Sequence, residues 1–271
     1  MNQVKLIASD MDHTLLTEKG EFPPNFERCV QQLSQCGVEF AAASGRPLYT
    51  LKSLFANIKD SMSFISDNGS IVCHRGTILY QSLLEREDYL AMIRFTEQDG
   101  RGAAVLCGLD AAYVQEQYKP HADYLRRFYT NLVFVDDLSQ VDVTANKFSV
   151  YFPEGDSREA YDQLFEQEYS DRFSVTVAGP EWIDIMNQGV TKGTGMERLG
   201  KELGFTSQEM MAFGDTDNDI EMLQTVKYSY IVRNAEERMR QYANFVADSN
   251  DNFGVLKVME QVLEAHQSAG T

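Results

Sequence analysis

Val4-Lys5-Leu6-Ile7-Ala8-Ser9, followed at once by Asp10-Met11-Asp12-His13-Thr14, is the stretch on which the fold turns. A short, nearly continuous apolar run is the pattern of a strand covered on both faces in a parallel sheet. Asp10 closes that run, and open α/β sheets bind ligands in the crevice beyond the carboxyl ends of their strands. Downstream, a Pro23-Pro24 turn leads to Asn25, the N-cap candidate of a helix through Cys36, with Gly37 placed as its stop. Val38-Glu39-Phe40-Ala41-Ala42-Ala43 reads as a second strand, and after Ser44-Gly45-Arg46-Pro47 a second helix starts near Leu48. Strand and helix alternate, which predicts an α/β fold.

Near Phe64 the rhythm changes. Ser63 to Ser66, Ser70 to Cys73 and Thr77 to Tyr80 read as short strands separated by Asp67-Asn68-Gly69 and His74-Arg75-Gly76, both hairpin-type turn signals. From Leu84 to Met186 the pattern predicts strands at 103–107, 147–152, 173–177 and 182–186, with helices near 88–98, 122–128 and 158–167. That mixture predicts an inserted α+β module. After Asn187-Gln188-Gly189 the alternation returns, with a helix over 192–203, strands at 210–213 and 228–232, a helix from Ile220 and a closing amphipathic helix over 255–265. The expected architecture is a Rossmann-like parallel-sheet core made of 1–83 and 188–271, interrupted by a module at 84–187 whose two connections act as a hinge.

Lysine and arginine number 24 against 41 aspartates and glutamates, a formal charge of −17. That balance argues against a nucleic-acid partner, because binding a phosphate backbone needs clustered cations. The N-terminal apolar run is shorter than the ~7–15 residues of a secretory signal core. No stretch approaches the ~20 apolar residues of a membrane span, so the expectation is a cytoplasmic protein without membrane contact. Cys29, Cys36, Cys73 and Cys107 show neither CxxC nor zinc-ligand spacing and are expected as free thiols. Gly193-Thr194-Gly195 lacks the third glycine and the strand–turn context of a dinucleotide fingerprint.

The chemistry concentrates in four segments: Asp10 to Thr14, Ser44-Gly45-Arg46, Thr191-Lys192-Gly193 and Gly214-Asp215-Thr216-Asp217-Asn218-Asp219. If the first and fourth end neighbouring strands, several carboxylates crowd one sheet edge. Two unit charges ~4 Å apart repel by about 4 kcal/mol at an effective dielectric of ~20, so such a cluster calls for a cation. An oxygen-only ligand set indicates a hard ion, and Mg²⁺ is the usual choice where a substrate phosphate completes the shell. Lys192 opens a helix, where the macrodipole favours an anion instead. A helix start carrying lysine is a natural phosphate site, and Ser44 with the backbone amides after it adds donors. Asp217 fits equally well as a turn residue.

Asp-x-Asp-x-Thr after the first strand, Ser after the second, Lys at a later helix start and Gly-Asp-x-x-Asn-Asp resemble the four motifs of the haloacid dehalogenase-like hydrolase superfamily. The wording is similar to its Cof-type phosphatases, with further echoes in Asp67-Asn68-Gly69, Asn234-Ala235 and the 249–255 segment. The resemblance spans essentially the whole chain, and its cap domain falls at the insertion.

The resemblance implies a Mg²⁺-dependent phosphatase for a small phosphorylated metabolite. It gives Asp10 the role of nucleophile, through an aspartyl-phosphate, and Asp12 that of general acid and then base. It implies an ion held by the Asp10 carboxylate, the Asp12 backbone carbonyl and Asp215, with Asp219 behind them. Ser44, Gly45, Lys192 and Asn218 would bind the phosphoryl oxygens. A sugar phosphomutase or a non-catalytic phosphometabolite-binding regulator on the same scaffold are the alternatives, and oligomeric state is open. His13 stands where this subgroup usually has glycine. Substrate selection would rest with the insertion, where Tyr113, Tyr118, Lys119, His121, Arg126 and Arg127 are candidates by polarity.

Overall fold

The structure is a computed structural model, and it describes residues 1–269. The strands of the first segment are β1 (Leu6–Ser9), β2 (Glu39–Ala43), β3 (Ser63–Ser66), β4 (Ile71–His74) and β5 (Thr77–Gln81). Those of the insertion are β6 (Ala103–Gly108), β7 (Ala112–Gln115), β8 (Leu132–Val135), β9 (Ala145–Tyr151), β10 (Phe173–Val177) and β11 (Trp182–Asn187). The last segment supplies β12 (Met210–Gly214), β13 (Tyr228–Val232) and β14 (Phe245–Ala247).

One sheet has eight strands in the order β14-β13-β12-β1-β2-β3-β4-β5. β1 lies at its heart, parallel to β12 on one side and to β2 on the other. All four β1 residues are buried. Successive side chains of a strand point to opposite faces, and here each face meets its own core. Ile7 packs with Phe26, Leu33, Phe40 and Val262, while Leu6 and Ala8 pack with Met196, Leu199 and Met222. This two-sided cover explains why β1 reads as a run instead of an alternation. At the far edge the sheet turns antiparallel through β3, β4 and β5. The first of those turns is the 67–69 segment, where Asp67, Asn68 and Gly69 all take positive φ.

The insertion forms a second sheet of six strands, ordered β10-β11-β9-β6-β7-β8. It holds two strands beyond the four expected, β7 and β8, and β14 was likewise not anticipated in the core. The helix expected over 122–128 is a six-residue 3₁₀ stretch, Glu116–His121, running into a single turn at Ala122–Leu125. Pro120 lies inside that stretch, and proline denies a regular helix its hydrogen bond. One face of the second sheet packs Phe148 and Val150 with helical residues Met92, Ile93 and Phe165. On its other face Tyr151 and Trp182 pack with Tyr129.

The chain crosses between the sheets at 82–85 and again at 187–190. Asn187 ties the crossings together, its Nδ2 donating to Ser82 Oγ at 2.9 Å and to the Leu83 carbonyl at 2.6 Å. Asn25, expected to cap the first helix, instead adopts φ +64° and makes no side-chain cap bond. All four cysteines are free. Among the described residues no helix is long and apolar enough to cross a membrane.

Candidate active site

Asp10 leaves the carboxyl end of β1 with its N–H donating to the Phe213 carbonyl of β12 at 3.0 Å. Because β1 and β12 pair in register from Leu6 with Met210 to Ser9 with Phe213, the loops after them are set side by side. Gly214 ends β12, and a Cβ there would lie 2.5 Å from the Asp219 Cβ. Only glycine lets the acidic loop fold back this tightly. Asp219 turns its Oδ2 onto the N–H groups of Asp215 and Thr216, at 3.0 and 3.2 Å.

Lys192 begins the helix Lys192–Leu203 behind a reciprocal cap between Thr191 and Thr194. Its side chain is fully buried, with Nζ donating to Asp10 Oδ1 at 2.5 Å and to Asp219 Oδ1 at 2.7 Å. Burial disfavours the ammonium, yet Asp10 and Asp219 outweigh it and raise the affinity of Lys192 for its proton. An oxygen each from Asp10, Asp215 and Asp219 lies within 4.8 Å of the others. Burial, partly offset by Lys192 and reinforced by Asp219, pushes Asp10 up to about 7. Asp215 is driven well above the usual carboxylate range by burial and by the charges of Asp10 and Asp219, with Thr14 Oγ1 donating to its Oδ1 at 2.8 Å.

Three carboxylates against one ammonium leave negative charge that a divalent cation would neutralise. The oxygen-only donors fit Mg²⁺. Asp219 already serves Lys192 with one oxygen and two amides with the other, so Asp10 and Asp215 are the carboxylates that would hold such an ion directly.

Ser44 and Gly45 follow β2. Ser44 Oγ accepts the N–H of Arg46 at 3.1 Å, which leaves its proton for an acceptor in the cavity. The Gly45 carbonyl accepts from Lys147 Nζ of β9 at 2.6 Å. Asn218 is buried, and its Nδ2 donates to Asn68 Oδ1 at 3.0 Å while its own Oδ1 finds no partner. Asn68 in turn donates to Asp184 Oδ2 at 2.6 Å. Asp12 stands apart from the carboxylate cluster. The Arg46 fork grips its two oxygens, Nε at 2.9 Å from Oδ2 and Nη2 at 2.5 Å from Oδ1.

These groups open on a cavity of about 1030 Å³ between the two sheets, walled on the insertion side by Tyr124, Phe128, Lys147, Arg158, Trp182 and Asp184. None of Tyr113, Tyr118, Lys119, His121, Arg126 and Arg127 lines it, so polarity was the wrong guide. Lys147 and Asp184 carried a better signal, being charged residues inside the apolar strands β9 and β11; both are buried and they pair at 3.1 Å. Asp217, read equally as a turn residue, forms ion pairs with Arg158 of the insertion and Arg238 of the core. His13 lines the cavity at φ +59°, a backbone region that glycine enters without strain. Its Nδ1 meets Glu18 Oε1 at 3.0 Å. Asn234 braces the turn by donating to the His13 carbonyl at 2.7 Å, and Asn250 N–H donates to Asn234 Oδ1 at 3.0 Å, so both of those echoed segments support the loop after β1.

Residues 7–259 match a family described as haloacid dehalogenase-like hydrolase. The chain belongs to the haloacid dehalogenase-like hydrolases. Its motif wording is that of the Cof type. The hydrolase is 29% identical over 265 residues to 5-amino-6-(5-phospho-D-ribitylamino)uracil phosphatase YbjI of Escherichia coli strain K12, covering 96% of this chain and 97% of that protein. It is 28% identical over 242 residues to an HMP-PP phosphatase of Yersinia pseudotuberculosis serotype I, covering 88% and 86%. The solved structure of SMU.1108c from Streptococcus mutans UA159 superposes with a TM-score of 0.90 at 32% identity, over 96% of this chain and 99% of that one. Family and relatives mark the hydrolase as a phosphatase with a mixed α/β, parallel-sheet fold.

Proposed function

We propose that this hydrolase is a Mg²⁺-dependent phosphatase of a small phosphorylated metabolite that works through an aspartyl-phosphate on Asp10. In this proposal 84–187 is the cap that selects the substrate, and 1–83 with 188–271 is the catalytic core. The observation that carries it is Lys192 Nζ, buried between Asp10 at 2.5 Å and Asp219 at 2.7 Å, beside a third carboxylate at Asp215.

Bound at Asp10 and Asp215 with the Asp12 carbonyl, Mg²⁺ would supply charge neutralisation for the transferring phosphoryl group. Ser44 Oγ, the Gly45 amide, Lys192 and Asn218 would orient the phosphoryl oxygens. An Asp10 oxygen forms the bond to phosphorus as the ester P–O bond breaks, and the departing alkoxide takes the Asp12 proton. Asp12, now a carboxylate, removes a proton from the water that attacks the aspartyl-phosphate. Phosphate leaves, and Asp10 and Asp12 return to their starting states.

The substrate named for the Escherichia coli relative joins a phosphate to a uracil ring. A cavity of about 1030 Å³ with Tyr124, Phe128 and Trp182 in its wall has room and apolar surface for a group of that kind. Purified protein with Mg²⁺, screened against ribityl-pyrimidine phosphates, sugar phosphates and nucleotides, tests the proposal. Release of free phosphate from one of them supports it. Isomerised sugar phosphate without free phosphate, or tight binding without turnover, overturns it.

A further inference from the structure

Arg46 has no task in the steps above, yet it is a firmly held cation in the wall of the cavity. Its side chain is 9% exposed and that of Asp12 is 37% exposed. Its backbone is pinned at both ends, the N–H donating to Ser44 Oγ at 3.1 Å and the carbonyl accepting from the Asp67 N–H at 3.0 Å. Among the described residues Arg46 makes the hydrogen bonds to the Asp12 carboxylate, one to each oxygen. A carboxylate offers about four lone-pair sites, so the fork fixes the plane of the group and leaves one site on each oxygen for the cavity. The guanidinium carbon also lies 5.2 Å from the ring centroid of Phe128, a residue of the insertion.

We propose that Arg46 is a positioning residue that aims the Asp12 carboxyl at the leaving oxygen, and that Phe128 of the cap seats Arg46 in that pose. The inference rests on the phosphatase reading and on Asp12 as its acid. A fork that holds a carboxylate in one plane confines an otherwise mobile, solvent-facing side chain. A ring that stacks on the same guanidinium makes the pose depend on where the insertion sits. Acid alignment is thereby tied to closure of the cap over a substrate.

Single-turnover release of the leaving group is the test, because it isolates the first step from hydrolysis of the aspartyl-phosphate, in which Asp12 also acts. With Mg²⁺ present, p-nitrophenyl phosphate is compared with an alkyl phosphate, whose alcohol needs the proton. Arg46→Gln is expected to slow alkanol release by about 10²-fold and nitrophenol release far less. Arg46→Lys should fall between, and Phe128→Ala should shift the alkyl-to-aryl ratio in the same direction by a smaller factor. In an Asp12→Ala background Arg46→Gln should add little further loss, since the two act as one unit.

Equal slowing of both esters, or losses that multiply with Asp12→Ala, would overturn the positioning role. A wild-type protein that releases neither alcohol, or an Asp12→Ala protein with normal alkanol release, removes the underlying reading and this proposal with it.

Discussion

Lys192 and Asp10 are separated by 182 positions in the chain and by 2.5 Å in space. Neither is at rest alone. Asp10, Asp215 and Asp219 are crowded, Asp10 and Asp219 buried and Asp215 half-buried, and Lys192 is the buried cation that answers them.

Removing Lys192 should therefore unsettle the fold as well as the chemistry. Lys192→Met is expected to lower stability by about 3–5 kcal/mol, the scale of breaking a buried pair from one side. Thermal melts in EDTA should show the loss and melts in Mg²⁺ should recover part of it. An unchanged melting temperature in EDTA would mean that the lysine does not balance the cluster.

Gly214 offers a route to the same cluster without touching a charge. A methyl group at that position meets the Asp219 side chain at 2.5–2.8 Å. Gly214→Ala should push Asp219 off Lys192 and weaken Mg²⁺ binding at least several-fold, read by calorimetric titration. Wild-type affinity would show that the loop absorbs the methyl group without moving Asp219.

The positions of β1, Asp10, Lys192 and the Gly214-Asp215 loop were legible in the sequence. Each couples a strong local pattern to an uncommon residue, a buried strand ended by an acid or a helix opened by a lysine. β7 and β8 were not legible, since Ala112–Gln115 and Leu132–Val135 gain their place only by tertiary pairing, β7 with β6 and β8 with β7. Asn25 failed as a cap because its positive φ takes it out of the extended backbone that an N-cap residue adopts. The cap's contribution was hidden for a related reason. Tyr124 lies on the single turn Ala122–Leu125 and Phe128 just beyond it, and both line the cavity, a placement that a periodicity reading cannot fix. Arg46 was visible within its motif, but its partner Asp12 lies on a different loop, the one after β1, and only the pairing of β1 with β2 brings the two together.

Arg158, Asp217 and Arg238 join the insertion to the core at the cavity rim. The two arginines are about half exposed, and exposed pairs contribute under ~1 kcal/mol. Arg158→Ala should leave the melting temperature nearly unchanged while raising KM several-fold, because the closed arrangement loses one of its ties. Steady-state kinetics on the best substrate of the panel decide this, and an unaltered KM would leave the ion pair without a part in closure.

His13 and Glu18 give a pH signature. Burial lowers the tendency of His13 to hold a proton, but the hydrogen bond and charge of Glu18 prevail and raise its pKa above the ordinary 6.5. The bond to His13 and a second from Asn250 lower Glu18 below its ordinary 4.5. A raised histidine stabilises the fold below its unfolded value and loses that effect as pH rises through its folded value. A lowered glutamate stabilises above its unfolded value and loses that effect as pH falls through its folded one. Glu18→Gln should thus depress the melting temperature most between about pH 4.5 and 6.5 and progressively less in alkaline buffer. A difference that does not change with pH would count against the pair.

The most direct test of the central claim is to catch the phosphoryl group on the protein. Rapid acid quench of a Mg²⁺ reaction with a turned-over phosphate ester, followed by peptide mass analysis, should find the added phosphoryl on the peptide containing Asp10 and on no other. Asp10→Asn should show neither the adduct nor turnover. A phosphoryl group on a different residue, or an Asp10→Asn protein that still releases phosphate, would contradict the account.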